Sequence, residues 1–183
     1  VNFLPGHLLV ASEKLRDPNF FHSVVLLVRH NEEGAFGLAL NRATGTEVRE
    51  VWSQISTSSC ASREPLRIGG PIQGPLMALH RNAELVDIEA LSGVYFTAEK
   101  EKLEQLVVEP DESAKFFIGY AGWGAGQLES ELASGAWGTI AATPERVFRA
   151  LDDFWEAMTK EIRNSSLLAA LGIKHVPTDP RMN

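Results

Sequence analysis

Apolar positions fall into two regimes along this chain. From Ser23 to His30 (SVVLLVRH) they run almost unbroken and include three valines, the pattern of a strand covered on both faces. Asn31-Glu32-Glu33-Gly34 carries turn chemistry, and Ala35 to Asn41 (AFGLALN) returns as a second strand. The stretch 23–41 is therefore predicted to be an antiparallel hairpin, with Gly37 marking a bulge or a close backbone approach. Val48, Val51, Trp52 and Ile55 recur at helical spacing and predict a short amphipathic helix over 47–55. Small polar residues from 56 to 64 read as an exposed loop. Short strands are expected at 66–68, 76–80 and 93–97. The first two flank Gly69-Gly70-Pro71-Ile72-Gln73-Gly74-Pro75, which is too rich in glycine and proline for a regular element and must be a defined turn or a crossing.

Beyond residue 97 the apolar spacing alternates between strand and helix. Thr97 is expected to cap a helix running to Val107, with Glu99 and Glu101 in its first turn. Lys115 to Tyr120 (KFFIGY) reads as a strand. Gly122-Trp123-Gly124-Ala125-Gly126 follows as a glycine-rich turn, then a helix over 127–134 stopped by Gly135. Ala136 to Ala141 is a further strand. Thr143-Pro144-Glu145 is a strong helix start, and Val147, Phe148, Leu151, Phe154, Trp155, Met158 and Ile162 form one wide apolar stripe behind it. A continuous helix over 143–163 is predicted, packed through Phe148, Leu151 and Trp155. Burial of one such aromatic side chain is worth about 4 kcal/mol before entropy. A short helix over 167–171 should end at Gly172. Residues 1–176 read as a single domain and 177–183 as a loose tail.

Charge changes the picture more than composition does. The net charge of −7 is shared by both halves, and no basic run interrupts it, which argues against direct nucleic-acid binding. The longest aliphatic run, Val24 to Val28, is far short of the roughly 20 residues of a membrane span. No basic segment precedes the apolar residues at the start of the chain, so no signal peptide is expected. With a single cysteine, Cys60, there is neither an internal disulfide nor a thiolate metal site, and the cytoplasm is the expected compartment.

Catalytic motifs are missing where they would be sought. The chain has no phosphate-binding P-loop and no G-x-S-x-G elbow, and Cys60 lies in a serine-rich loop without a nucleophile signature. Glycines at 122, 124 and 126 sit between a strand and a helix, the setting of a dinucleotide site. Gln127, however, occupies the place of the third glycine, and Glu129 and Glu131 would repel a pyrophosphate. The histidines at 7, 22, 30, 80 and 175 show no ligand spacing, so no metal and no cofactor is expected. Glu129 and Glu131 lie about 160° apart around a helix, too far to work as an acid/base pair, and read as solvated acids. Gln127 and Glu131 share one face, and Leu128 and Leu132 the neighbouring buried one. Trp123 is expected to wedge its loop against the sheet.

Taken in order, several blocks resemble the uncharacterised bacterial YqgE/AlgH family. They are Gly6 to Ala11, Phe21 to Val25 with His30-Asn31, Glu33 to Leu38 with Asn41-Arg42, and Gly69 to Ile72. Gly119 to Trp123, Gln127 to Glu129 with Glu131, and Gly135 to Trp137 complete the set, which spans nearly the whole chain. Ala43 and Ala125 stand where many members carry proline, and Ile72 where many carry valine. The resemblance implies a mixed α+β fold in which a bent, bifurcated sheet closes into a pseudo-barrel flanked by helices. Some members carry the label of transcriptional regulator, but the family brings no agreed reaction or catalytic residues.

Two functional readings follow. The favoured one is a non-enzymatic regulatory or interaction protein acting through a protein or small-molecule partner, without direct DNA contact. The alternative is an enzyme or ligand-binding protein whose site is assembled from Gly69-Gly70-Pro71, the Gly122–Gly126 loop, and His30, Gln127 or Glu129. The candidate residues common to both are His30, Gly69, Gly70, Pro71, Trp123, Gln127, Glu129 and Glu131. Convergence of the two glycine-rich turns on a polar pocket would favour the second reading, and an exposed apolar patch the first.

Overall fold

In the computed structural model, described over residues 2–109, 113–149 and 153–171, the chain forms one mixed α+β domain with two sheets. In chain order the elements begin with β1 (His7–Ala11), β2 (Val24–Asn31), β3 (Gly34–Ala39), β4 (Ala43–Glu47), α1 (Val48–Ile55), β5 (Pro65–Ile68) and β6 (Met77–His80). A single turn of 3-10 helix at Ala83–Leu85 leads to β7 (Ile88–Leu91), β8 (Val94–Thr97), α2 (Lys100–Val108), β9 (Lys115–Ile118) and β10 (Ala121–Gly124). The chain continues through α3 (Gln127–Ala133), β11 (Trp137–Ala141), α4 (Pro144–Phe148) and α5 (Phe154–Ala170).

The first sheet has the order β10-β3-β2-β1-β11 and is antiparallel throughout. β2 and β3 form the predicted hairpin, and Val28 is the extra residue of a bulge placed opposite the Gly37–Phe36 step. A side chain at Gly37 would come within 2.7 Å of the Leu26 carbonyl, so both readings of that glycine hold. β1 and β2 are buried at consecutive positions because both faces are covered: α5 and β7 each pack on β2.

The second sheet runs β4-β5-β9-β6-β8-β7, with β5 and β9 parallel and the other pairs antiparallel. One face, through Leu66, Ala78 and Phe116, packs on Val48 and Trp52 of α1 and on Leu103, Leu106 and Val107 of α2. Met77, Leu79, Phe96 and Phe117 belong instead to the main core shared with the first sheet. Hydrogen bonding does not close these sheets into a barrel, and each keeps two edge strands. The mixed α+β class implied by the family resemblance is present, and the two sheets themselves are open.

Several local expectations are corrected. Thr97 does not cap α2: it is buried, and its hydroxyl donates to Asp87 Oδ2 at 2.8 Å. The same carboxylate accepts the Ala98 amide and pairs with Lys102, so an acid just ahead of β7 anchors the helix start. The helix beginning at Thr143 stops at Phe148 and a second begins at Phe154, while Leu151 lies outside the described residues. Phe148 and Trp155 nevertheless pack on the core from the two pieces. Residues 167–170 continue α5 and do not form a separate helix; Gly172 and residues 177–183 lie outside the described residues. Strands β1, β4 and β7 have no counterpart among the predicted elements. No helix among the described residues is long and apolar enough to cross a membrane.

Candidate functional site

The glycine-rich stretch after β9 is mostly strand. Ala121 to Gly124 form β10 against β3, and only Ala125-Gly126 turns the chain into α3. α3 then spans from one edge of the first sheet to the other, since the strands before and after it, β10 and β11, are those two edges. Trp123 on one edge and Trp137 on the other meet edge-to-face with centroids 6.0 Å apart, and Phe20 packs on both. Glu131 of α3 accepts both indole N–H groups on one oxygen, at 2.9 Å from Trp123 Nε1 and 2.8 Å from Trp137 Nε1. Its other oxygen accepts Gln127 Nε2 at 3.0 Å, and Gln127 Oε1 accepts the Gly124 amide. Trp123 is therefore the expected wedge, but Glu131 is not a solvated acid. It is the acceptor that ties two sheet edges together.

His30 and Glu129 form a second junction. The Leu4 amide donates to His30 Nδ1 at 3.0 Å, so the ring proton sits on Nε2, which donates to Glu129 Oε1 at 3.1 Å. Phe3 lies edge-on to the ring, 5.2 Å between centroids, and the imidazole is fully buried. A hydrogen bond from its own N–H, and then one from His30, hold the Glu129 carboxyl below the usual carboxylate range against the opposing effect of burial. With both ring nitrogens engaged, His30 has no free position from which to take a substrate proton.

Gly69 and Gly70 stand where the two sheets cross. The Gly69 amide donates to the Ile118 carbonyl, and the Gly69 carbonyl accepts the Ala39 amide of β3. A methyl group at Gly70 would sit 2.2 Å from the Tyr120 carbonyl carbon and 2.3 Å from the Ala121 nitrogen. Ile72 and Tyr120 exchange both backbone hydrogen bonds, and Ile72 Cδ1 reaches to 2.9 Å of where a Gly122 side chain would begin. The two glycine-rich segments do meet, but as backbone against backbone. Beside the crossing runs a groove of about 370 Å³ lined by Ile68, Pro71, Ile72, Gln73 and Ile118 among glycines. His30, Trp123, Gln127, Glu129 and Glu131 take no part in it.

Burial pushes the Cys60 thiol above its ordinary value, although Arg49 opposes this, which keeps it protonated and a weak nucleophile. Among the described residues no three His, Cys, Asp or Glu side chains gather as metal ligands.

The AlgH-like family model matches residues 8–166 of this chain. The chain belongs to that family. UPF0301 protein CT0663 of Chlorobaculum tepidum is 38% identical over 166 residues, covering 87% of this chain and 86% of its own. UPF0301 protein SPO0296 of Ruegeria pomeroyi is 35% identical over 181 residues, covering 94% and 98%. Among solved structures, the solution structure of the AlgH protein from Pseudomonas aeruginosa superposes with a TM-score of 0.69 at 30% identity, covering 97% of both chains. Protein DIP2367 from Corynebacterium diphtheriae superposes at 0.66 with 26% identity over 86% of each.

Within this AlgH-like chain, sequence reasoning named His30, Gln127, Glu129, Glu131 and Trp123, and the fold brings all five to one end of β10 and α3. It missed Trp137 and Phe20, which complete the aromatic cluster, and Leu4, whose amide fixes the histidine tautomer. The Gly135-Ala136-Trp137 block was a signal for Trp137. Nothing local pointed to a backbone amide 26 residues from its histidine.

Proposed function

We propose that this AlgH-like protein is a non-enzymatic regulatory or interaction protein, and that the groove beside the Gly69–Gly74 crossing is its contact surface. One observation carries the reading: Ile68 and Ile72 remain 43% and 40% exposed along the groove, while the polar candidates His30, Gln127, Glu129 and Glu131 are engaged in internal hydrogen bonds. Apolar side chains exposed side by side, with no reactive group among them, suit a partner's apolar side chains better than a reaction. The setting is taken to be the cytoplasm, in keeping with a single unbridged cysteine. Regulation, in this reading, runs through a protein partner and needs no contact with DNA.

The groove's volume also supports a second reading, in which the occupant is a small apolar ligand. Site-specific photo-crosslinking in cells separates the cases. A crosslinker at Ile72 should give a discrete protein adduct that Ile68→Arg abolishes and that a crosslinker at Leu167, equally apolar and 59% exposed, does not give. Identical adducts from both positions, or none from Ile72, would count against the groove as a protein-binding surface.

A further inference from the structure

Two cations lie buried in the second sheet with one carboxylate to serve them. The parallel register of β5 and β9 sets Arg67 opposite Phe117, and residues two apart on a strand share a face, so Lys115 lies on the Arg67 face one step along β9. Lys115 in turn sits opposite Leu79 of β6. The two residues are 6% and 5% exposed. Arg67 donates through Nη1 to the Pro65 carbonyl at 3.0 Å and reaches Glu64 Oε2 only at 3.4 Å.

Among the described residues, Arg67 Nε and Nη2 and Lys115 Nζ have neither a hydrogen-bond acceptor nor an ion-pair partner, and none of these nitrogens is sealed from solvent. Part of the small surface that the two side chains keep is thus at their donor ends. Small residues of the edge strand lie beside Arg67: Ala43 pairs with it, and no atom stands within 4 Å of where a Gly45 side chain would begin.

Burying a cation is costly unless an anion and hydrogen bonds compensate it. Here burial and the charge of Arg67 pull Lys115 down to about 8, with Glu64 opposing, so the ammonium is still mostly protonated at neutral pH. The result is a positive spot with unused donors in a chain of net charge −7. We propose that Arg67 and Lys115 form a binding site for a small oxyanion of the phosphate class. The guanidinium offers a planar pair of N–H groups and the ammonium a donor from a second direction. A tetrahedral oxyanion accepts from both, whereas a planar carboxylate is satisfied by the fork alone.

The test is calorimetric titration of the full chain with inorganic phosphate at neutral pH and constant ionic strength, with acetate as the comparison and thermal melting alongside. Saturable binding of phosphate, at least tenfold tighter than acetate, is expected, together with a rise in melting temperature. Lys115→Met should melt higher than the parent without phosphate, because it removes a buried charge, and should bind phosphate at least tenfold more weakly. Loss of binding therefore cannot be mistaken for unfolding. Arg67→Gln carries the same test should the methionine variant fail to fold. Glycerol phosphate binding as tightly as the free ion would identify a phosphate monoester as the occupant; much weaker binding would identify the free ion. No saturable binding by the parent, or unchanged phosphate affinity in the variants, overturns the proposal.

Discussion

At position 70 a single methyl group would be enough to part the two chain segments that cross there. Its carbon would lie 2.2–2.3 Å from three backbone atoms of Tyr120 and Ala121, and backbone held in two sheets cannot step aside as a flexible side chain can. Gly70→Ala should therefore cost more than about 4 kcal/mol, well above the usual effect of a surface substitution. Urea melts of the two proteins measure it, and a loss below about 1 kcal/mol would mean that the crossing is far looser than these distances describe. Trp123 is constrained in a different way. Its ring is 5% exposed, stacked on Phe20 and hydrogen-bonded through Nε1 to Glu131. Trp123→Ala should lower stability by about 3–5 kcal/mol. Trp123→Phe should recover much of that, but not the part due to the hydrogen bond, which is worth about 1.5–3 kcal/mol when the acceptor is charged. Equal losses for alanine and phenylalanine would show that the hydrogen bond and not the packing fixes the tryptophan.

At the scale of elements, α3 connects what the sheet's hydrogen bonds leave apart. Glu131 holds the two edge strands, and Glu129 holds His30 of the central hairpin, so one short helix fastens three strands by side chains alone. The Glu129 carboxyl is held below the usual carboxylate range, by its own N–H first and by His30 next. A group whose folded value is depressed stabilises the fold above its unfolded value of about 4.3 and loses that contribution as pH falls through the folded one. Between about pH 5 and pH 3 the parent should lose more stability than Glu129→Gln, whose amide does not titrate. Parallel slopes in denaturant melts across that range would remove Glu129 from the acid limb. The elements also show which signals were legible. The β2–β3 hairpin, α1 and the cap of α4 were readable because apolar runs and a Thr-Pro-Glu start are local. β10 was hidden because glycine forms a strand here only when a neighbour, β3, supplies the pairing. The long stripe after Thr143 picked out Val147, Phe154, Trp155 and Met158, which are buried, and Phe148 and Ile162, which are partly buried, but it did not show that α4 stops at Phe148. The residues of the α3 cluster were legible as a set. Their role was not, because it depends on Trp137 and Leu4 arriving from elsewhere in the chain.

For the whole molecule the decisive quantity is charge. Phosphate-backbone contacts by Lys and Arg supply most nonspecific affinity for DNA, and each neutralised phosphate must be matched by a cation placed near the surface. This chain has 17 such residues against 24 acids. Several of the cations are withdrawn from the open surface or paired: Arg67 and Lys115 are largely buried in the second sheet, Arg146 pairs with Glu161, Arg163 with Glu13, and Lys102 with Asp87. Among the described residues the helices that could enter a groove are acidic or mixed, and α3 presents Glu129 and Glu131 with no basic residue. A −7 body also repels the duplex before contact, an effect that salt screens but does not reverse. The purified protein is therefore expected to bind duplex DNA no more tightly than the nonspecific range of about 10⁻⁴–10⁻⁶ M at physiological salt. Fluorescence anisotropy with labelled duplexes of random and of genomic sequence checks this, since a regulator that contacts DNA would separate the two by orders of magnitude. Submicromolar binding of a particular duplex at that salt would restore a direct role on DNA and displace the apolar groove as the route of regulation.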